Sequence, residues 1–199
     1  MYPTQMKTKR PTLFLATVLF CAHTTYAQLR LPLSNAFRAD IQKVVADFPS
    51  QFQSLRGEVR ITNPQTVEYA SLLQVNKAED CIITRYSSND KPIYSLYALM
   101  LSTENFSEAE KRYKWIFTQL RGMNVKYVVD QYTLQGAYEA PAEERMFTTS
   151  TLAVAHPPDA LQKLRVEVSM QYEFPNWKIG LTVFEKEKDD EDQGDYTDN

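Results

Sequence analysis

Apolar and polar residues alternate through the C-terminal part of this chain and recur at helical spacing in two other stretches. Residues 164–174 alternate strictly, which predicts a strand with one buried and one exposed face. A second alternation over 177–183 follows Pro175-Asn176, a pair suited to the two central positions of a tight turn. The two runs predict a hairpin over 164–185. Further strands are expected at 67–75, 81–86, 93–101, 125–134 and 146–154.

The first helical stretch begins near Ser34 or Asn35, either of which can cap free backbone amides. It ends or kinks at Pro49, because proline clashes with the preceding helical turn. A further short helical turn, closed by Gly57, is expected to follow. The apolar stripe of this helix consists of Phe37, Ile41, Val44 and Phe48.

The second helical stretch covers about 106–120 and has one apolar face. Asn105 or Ser107 caps its start, and Gly122 stops it. Trp115 lies off the apolar stripe, so it either packs against a second layer or is exposed. Both readings stay open from the sequence.

This order of elements predicts an α+β fold: a curved antiparallel sheet of about six to seven strands with two helices on one face. Residues 52–57 and 117–122 share the pattern Phe-x-x-Leu-x-Gly. This echo is compatible with two α-β-β-β halves, although any amphipathic helix end can show it. The segments 93–101 and 125–134 are apolar on both faces, which is typical of central strands covered on two sides.

The N-terminus has the features of a secretory signal peptide over residues 1–27. Three basic residues precede an apolar run over 11–22, and Thr25-Tyr26-Ala27 suits a signal peptidase, which predicts Gln28 as the mature N-terminus. The apolar run is shorter than the ~20 residues that a membrane-spanning helix needs. Two alternatives are a retained N-terminal anchor and lipidation of Cys21, which the bulky Phe20 disfavours.

Charge and composition divide the rest of the chain into one domain over 28–188 and an acidic tail over 189–199. Residues 185–199 hold eight acidic residues and two lysines, and the domain before them has no basic excess. Nucleic acid is therefore not an expected partner. The tail is predicted to be a disordered, solvated segment rather than a calcium loop. No second apolar run could span a bilayer, so the processed chain is not expected to be an integral membrane protein.

Motifs for catalysis, metal binding or cofactor binding are weak. After the signal peptide the chain has one cysteine, Cys81, and one histidine, His156, which cannot assemble a zinc site. Cys81 is expected to be a buried strand thiol and His156 a loop residue, although a nucleophile pair is formally conceivable. Glu139, Glu143 and Glu144 share a loop, where charge usually means solvation. No cofactor, metal ligand or catalytic residue is assigned.

Aromatic side chains are the remaining signal of function. Several tyrosines fall in or beside predicted strands, where they could either pack in the core or form a patch that meets a peptide, a glycan or another subunit. The candidate binding-surface aromatics are Tyr94, Tyr97, Tyr127, Tyr132, Tyr172 and Trp115.

Three segments of the chain carry a resemblance to known proteins. They are the junction at 27–28, Arg-Ala-Asp-Ile at 38–41 and Glu-Phe-Pro-Asn-Trp-Lys at 173–178. The chain resembles uncharacterised short exported proteins of Bacteroidota. The resemblance implies a periplasmic or secreted location and transfers neither an activity nor catalytic residues.

The sequence therefore favours a non-enzymatic binding or interaction module of the cell envelope, acting through a sheet face or a sheet edge on a protein, peptide or glycan. One alternative is an envelope hydrolase, which would need two carboxyl groups roughly 5–9.5 Å apart across a cleft. Another is an accessory periplasmic chaperone with an exposed aromatic patch.

Overall fold

A computed structural model describes residues 33–87 and 91–186 of the 199-residue chain. The predicted signal peptide, residues 1–27, and the predicted acidic tail, residues 189–199, lie outside the described residues. So do both predicted limits of the domain, residues 28 and 188. Within the described part, no helix has the length and apolar content to cross a membrane.

Two α-helices and nine strands make up the described part of the chain. α1 spans Leu33–Asp47 and α2 spans Phe106–Leu120, and short 3-10 helices occupy Phe48–Ser50 and Asp159–Leu161. The strands are β1 (Arg56–Thr62), β2 (Thr66–Ser71), β3 (Asp80–Tyr86), β4 (Ile93–Thr103), β5 (Asn124–Tyr127), β6 (Asp130–Gly136), β7 (Phe147–Val154), β8 (Leu164–Glu173) and β9 (Asn176–Glu185).

All nine strands join one curled, open antiparallel sheet in the order β1-β2-β3-β4-β9-β8-β7-β6-β5. The predicted α+β class with an antiparallel sheet is confirmed, but the predicted count of six to seven strands is too low. One additional strand is β1, and the other arises because the segment 125–134 forms two strands.

The chain forms two successive series, α1 with four strands and α2 with five. Their last strands, β4 and β9, pair at the middle of the sheet. The expected α-β-β-β halves therefore have too few strands. The two hexamers that suggested them also occupy different elements: residues 52–57 lead into β1, whereas residues 117–122 end α2.

The predicted helical turn over 52–57 is wrong. Gln51 and Phe52 both have positive φ angles, 57° and 56°, which end right-handed helical geometry at this point. Phe52 is nevertheless fully buried, so its apolar character serves the core and not a helix. Gly57 lies inside β1, close to the backbone of Ala70 in β2.

The predicted strand over 125–134 folds back on itself. Val128, with a φ of 56°, lies in the turn between β5 and β6, and β5 forms one edge of the sheet. The expectation that this segment is a central strand is therefore wrong. The segment 93–101 does lie centrally, within β4.

The hairpin over 164–185 is confirmed as β8 and β9, with a small shift at its turn. Glu173 pairs with Asn176, so the two turn positions are held by Phe174 and Pro175 and not by the predicted Pro175 and Asn176. The peptide bond between Phe174 and Pro175 is cis. Along β8 the helix-facing residues are buried, as the alternation predicts.

Both helices lie against one face of the sheet. α2 starts at the predicted cap, where the Asn105 side chain accepts a hydrogen bond of 3.0 Å from the backbone N–H of Glu108. It packs against β4, β8 and β9, while α1 packs against α2 and β5. Trp115 belongs to this layer, since its ring lies 5.1 Å from that of Phe37. The opposite face, here called the outer face, carries no helix of the described chain.

Candidate functional site on the outer sheet face

A hollow of about 400 Å³ opens on the outer face near the ends of β3, β4 and β9. Its walls are apolar and aromatic, and hydroxyl groups lie between them. The lining residues are Tyr86, Ile93, Ser95, Thr182, Phe184, Glu185 and Lys186.

Strand register brings these side chains together. Tyr86 pairs with Ile93 across β3 and β4, and Ser95 pairs with Phe184 across β4 and β9. Side chains two residues apart in a strand share a face, which adds Thr182 to the same side. The result is a set of neighbours drawn from two distant parts of the sequence, the β3–β4 hairpin and the end of β9.

The floor of the hollow is polar although it is buried. Ser95 is only 6% exposed, and its hydroxyl donates a hydrogen bond of 3.5 Å to the Tyr86 hydroxyl. Thr84, which pairs with Ser95 across the strands, is also buried. Hydroxyl groups both donate and accept hydrogen bonds, so the floor can satisfy a polar group of a ligand whose apolar part lies against the walls.

Glu185, in the lining of the hollow, belongs to an ion-pair cluster. The Glu185 carboxylate accepts hydrogen bonds from the Lys91 and Lys163 ammonium groups, at 3.1 and 3.2 Å. Burial opposes the charge of Glu185, but the bonds to the two lysines outweigh it and hold the pKa of the carboxyl below its usual value. Glu185 is therefore an ionised anchor and not a proton donor near neutral pH.

Beyond the hollow the outer face continues over Tyr97. A side chain at Gly180 would place its Cβ 2.6 Å from the Tyr97 ring and 2.7 Å from the Ser169 hydroxyl. The missing side chain at Gly180 thus lets the ring lie across β9. Burial raises the pKa of Tyr97, so its phenol stays protonated and remains a hydrogen-bond donor.

Glu167 adds a half-buried carboxyl group to the same face, directly opposite Thr182. Burial raises the pKa of Glu167 and outweighs the opposing effect of a hydrogen bond from the Thr151 hydroxyl. The folded protein thus holds the Glu167 proton more tightly than the unfolded chain does. Its ionisation destabilises the fold as the pH rises from the unfolded pKa through the folded pKa.

Glu167→Gln should therefore raise the melting temperature at pH 7, since an amide of similar shape carries no charge to desolvate. The difference from the wild type should shrink as the pH is lowered below about 4, where an unfolded glutamate is also protonated. Thermal unfolding of both proteins over a pH series measures this. An equal melting temperature at pH 7 would contradict the role of burial at Glu167.

The six candidate aromatics do not form one patch. Tyr97 lies on the outer face beside the hollow, whereas Tyr94 is buried on the helix side, where the Arg56 guanidinium donates a hydrogen bond of 3.0 Å to its hydroxyl. Tyr172 packs on Trp177, with ring centroids 4.9 Å apart. The other three are partly buried against the core, namely Trp115, Tyr127 and Tyr132.

The residues that build the hollow were not among the sequence candidates, apart from the neighbouring Tyr97. A usable signal existed, because Ser95 and Thr182 interrupt otherwise apolar strands with hydroxyl groups. Their convergence with Tyr86 and Phe184 depends on the register between distant strands, which alternation alone does not provide.

The remaining candidates for chemistry lie elsewhere. Cys81 is 2% exposed, and burial raises the pKa of its thiol, so the prediction of a buried strand cysteine is confirmed. His156 is exposed in the loop after β7, as predicted. Glu139 forms an ion pair with Arg145 at 2.8 Å. The described residues hold no group of three or more His, Cys, Asp or Glu side chains placed to bind a metal ion.

A second hollow, of about 380 Å³, runs along α2. It combines the cations of Lys114 and Arg121 with the rings of Phe117 and Tyr138, which lie 5.2 Å apart. The side chains of Lys114, Thr118 and Arg121 in its lining are all exposed. The outer-face hollow differs in that the Ser95 hydroxyl in its lining is buried, and for this reason it is the candidate site.

Comparisons with known proteins give no relative from which a role could be transferred. No protein-family model matches the chain, and no curated protein is similar to it. Among solved structures, the crystal structure of Ara h 8.0201 matches with 11% sequence identity and a TM-score of 0.17, covering 80% of this chain and 72% of that one. A TM-score this low supports no argument about fold or function.

Proposed function

We propose that this protein is a non-enzymatic binding module that holds the apolar part of a peptide, a protein segment or a glycan in the outer-face hollow. The observation that carries the proposal is the pairing of apolar walls, formed by Tyr86, Ile93 and Phe184, with the hydroxyl groups of Ser95 and Thr182 between them. A volume of about 400 Å³ lies within the range of small-molecule and side-chain pockets.

The chemistry of the hollow favours binding over turnover. Its carboxylate, Glu185, is held ionised by two lysines. The other polar groups of the lining are three hydroxyls, of Tyr86, Ser95 and Thr182, and the Lys186 ammonium group, and the lining contains no histidine. Export to the periplasm or the outside of the cell belongs to the same proposal and rests on the N-terminal sequence features. The proposal also includes that the processed protein has no membrane-spanning segment.

The proposal can be tested by screening capped tripeptides and small oligosaccharides against protein carrying ¹³C-labelled isoleucine methyl groups. A ligand of the hollow should shift the Ile93 methyl signal. Phe184→Ala removes one wall and should weaken that ligand at least tenfold, a loss of about 1.4 kcal/mol. Phe147→Ala is the matched control, because this half-exposed phenylalanine in β7 lies outside the hollow and should leave affinity unchanged.

Two results would overturn the proposal. One is a ligand whose affinity is the same in the wild type and in Phe184→Ala. The other is hydrolysis of a screened compound that disappears in Glu167→Gln, which would show the carboxylate hydrolase that the sequence left as an alternative.

A further inference from the structure

The two edge strands of the sheet, β5 and β1, differ in whether a described side chain bonds to their backbone groups. At the β5 edge, the Gln42 side chain from α1 accepts a hydrogen bond of 2.7 Å from the Lys126 backbone N–H. Its amide nitrogen donates another of 2.7 Å to the Lys126 carbonyl. One side-chain amide thereby occupies both backbone groups of Lys126, so α1 closes this part of the four-residue edge strand to a neighbouring strand.

The β1 edge has no such cover within the described residues. No described side chain bonds to a backbone group of β1, and its residues from Glu58 to Thr62 are exposed. Apolar side chains collect there: Val59 and Ile61 are 56% and 49% exposed, and Leu72, just beyond β2, is 71% exposed. An edge strand whose last five residues are exposed and include apolar side chains is a surface to which another strand can pair.

Two features of β1 restrict which strand can pair with it. It meets β2 through two register shifts, one between Arg56 and Val59 and one between Val59 and Ile61. It also carries the charges of Glu58 and Arg60 on either side of Val59. Bulges and charged residues on an edge discourage pairing with arbitrary apolar strands. The incoming strand must therefore match the charge pattern.

The charges of β1 are complementary to those of a second, antiparallel copy of β1. In an antiparallel pair of β1 strands with the twofold axis at Val59, Glu58 of each copy lies opposite Arg60 of the other. Opposite charges across strands stabilise a pair, and the twofold axis makes the contact twice. An axis through Glu58 or through Arg60 would instead place like charges opposite one another, which is unfavourable.

Arg60 keeps donors for this contact. Its guanidinium group donates one hydrogen bond of 2.7 Å to Asp80 at the start of β3. A guanidinium has five N–H donors, so a second carboxylate can bind without displacing the first.

We propose that the β1 edge binds a second copy of this chain, forming a twofold-symmetric antiparallel β1–β1 pair that extends the two sheets into one. The partial closure of the β5 edge by α1 limits growth, so that the assembly stops at a dimer. This surface is separate from the outer-face hollow, and the proposal does not depend on the proposed ligand.

Charge exchange tests the register directly. In Glu58→Arg every cross-strand contact becomes Arg opposite Arg, and in Arg60→Glu it becomes Glu opposite Glu. Each variant alone should self-associate at least tenfold more weakly than the wild type. An equimolar mixture should associate again, because every Arg then lies opposite a Glu. Sedimentation equilibrium at low salt, over concentrations up to about 1 mM, measures all three cases.

Arg145→Glu changes another exposed, ion-paired arginine, in a loop away from β1, and this matched control should associate as the wild type does. Circular dichroism of each variant checks that the fold is retained. A monomeric wild type at the highest concentration would overturn the proposal. So would a dimer indifferent to both charge reversals, or variants whose mixture fails to associate.

Discussion

Replacing Phe37 with alanine should lower the free energy of unfolding by about 3–5 kcal/mol. Phe37 is completely buried in the layer between α1 and the rest of the core, and its ring lies 5.1 Å from that of Trp115 in α2. The substitution removes the apolar transfer energy of the ring and leaves a cavity that the flanking helices cannot fully close. Urea unfolding followed by circular dichroism gives the value.

Phe147→Ala provides the comparison, since Phe147 is 55% exposed in β7 and should lose only about 1 kcal/mol or less. A loss at Phe37 no larger than the loss at Phe147 would mean that α1 is not an integral part of the core. The polar contacts of α1, such as the bond of 3.0 Å from Arg38 to the Gln119 carbonyl, would then have to hold it in place.

The elements that sequence analysis predicted well are those whose signals are local. α2 carries its cap at Asn105, its apolar face and its stop at Gly122 within a single stretch of chain. The β8–β9 hairpin likewise carries alternation and turn in adjacent residues. In both cases local preference and final burial agree, which is why the periodicity is sufficient.

The missed elements are those that depend on distant partners. β1 is largely exposed and follows a segment with helical spacing, so its pairing with β2 left little pattern in the sequence. The turn between β5 and β6 places Val128 at a positive φ, which a β-branched residue rarely adopts. Without glycine or asparagine to mark the turn, the apolar run resembled one continuous strand.

Sequence analysis missed the candidate site for a related reason. Ser95 and Phe184 are neighbours only because β4 and β9, the last strands of the two series, pair at the middle of the sheet. The sequence candidates included both Tyr94 and Tyr97. These two residues are three positions apart in one strand, and side chains an odd number of positions apart lie on opposite faces of a sheet. Only Tyr97 belongs to the outer face.

Gly136→Ala should cost about 3 kcal/mol of unfolding free energy, near the upper end of the range for overpacking. Gly136 pairs with Leu152 across β6 and β7, and an added Cβ would lie 2.3 Å from the Thr151 carbonyl oxygen and 3.0 Å from the Leu152 Cα. Both obstacles are backbone atoms, so the clash cannot be relieved by a rotamer change. The two strands must move apart.

Gly122→Ala separates this steric effect from backbone strain. Gly122 has a φ of +75° but nothing within 4 Å of an added Cβ, so its replacement should cost only the left-handed backbone penalty, about 1 kcal/mol. Urea unfolding compares the two variants, and amide exchange at Val154, paired with Leu134, should increase in Gly136→Ala alone. If Gly136→Ala lost no more stability than Gly122→Ala, the β6–β7 contact would be loose enough to admit a side chain. The five-strand half of the sheet would then be less firmly closed than its register indicates.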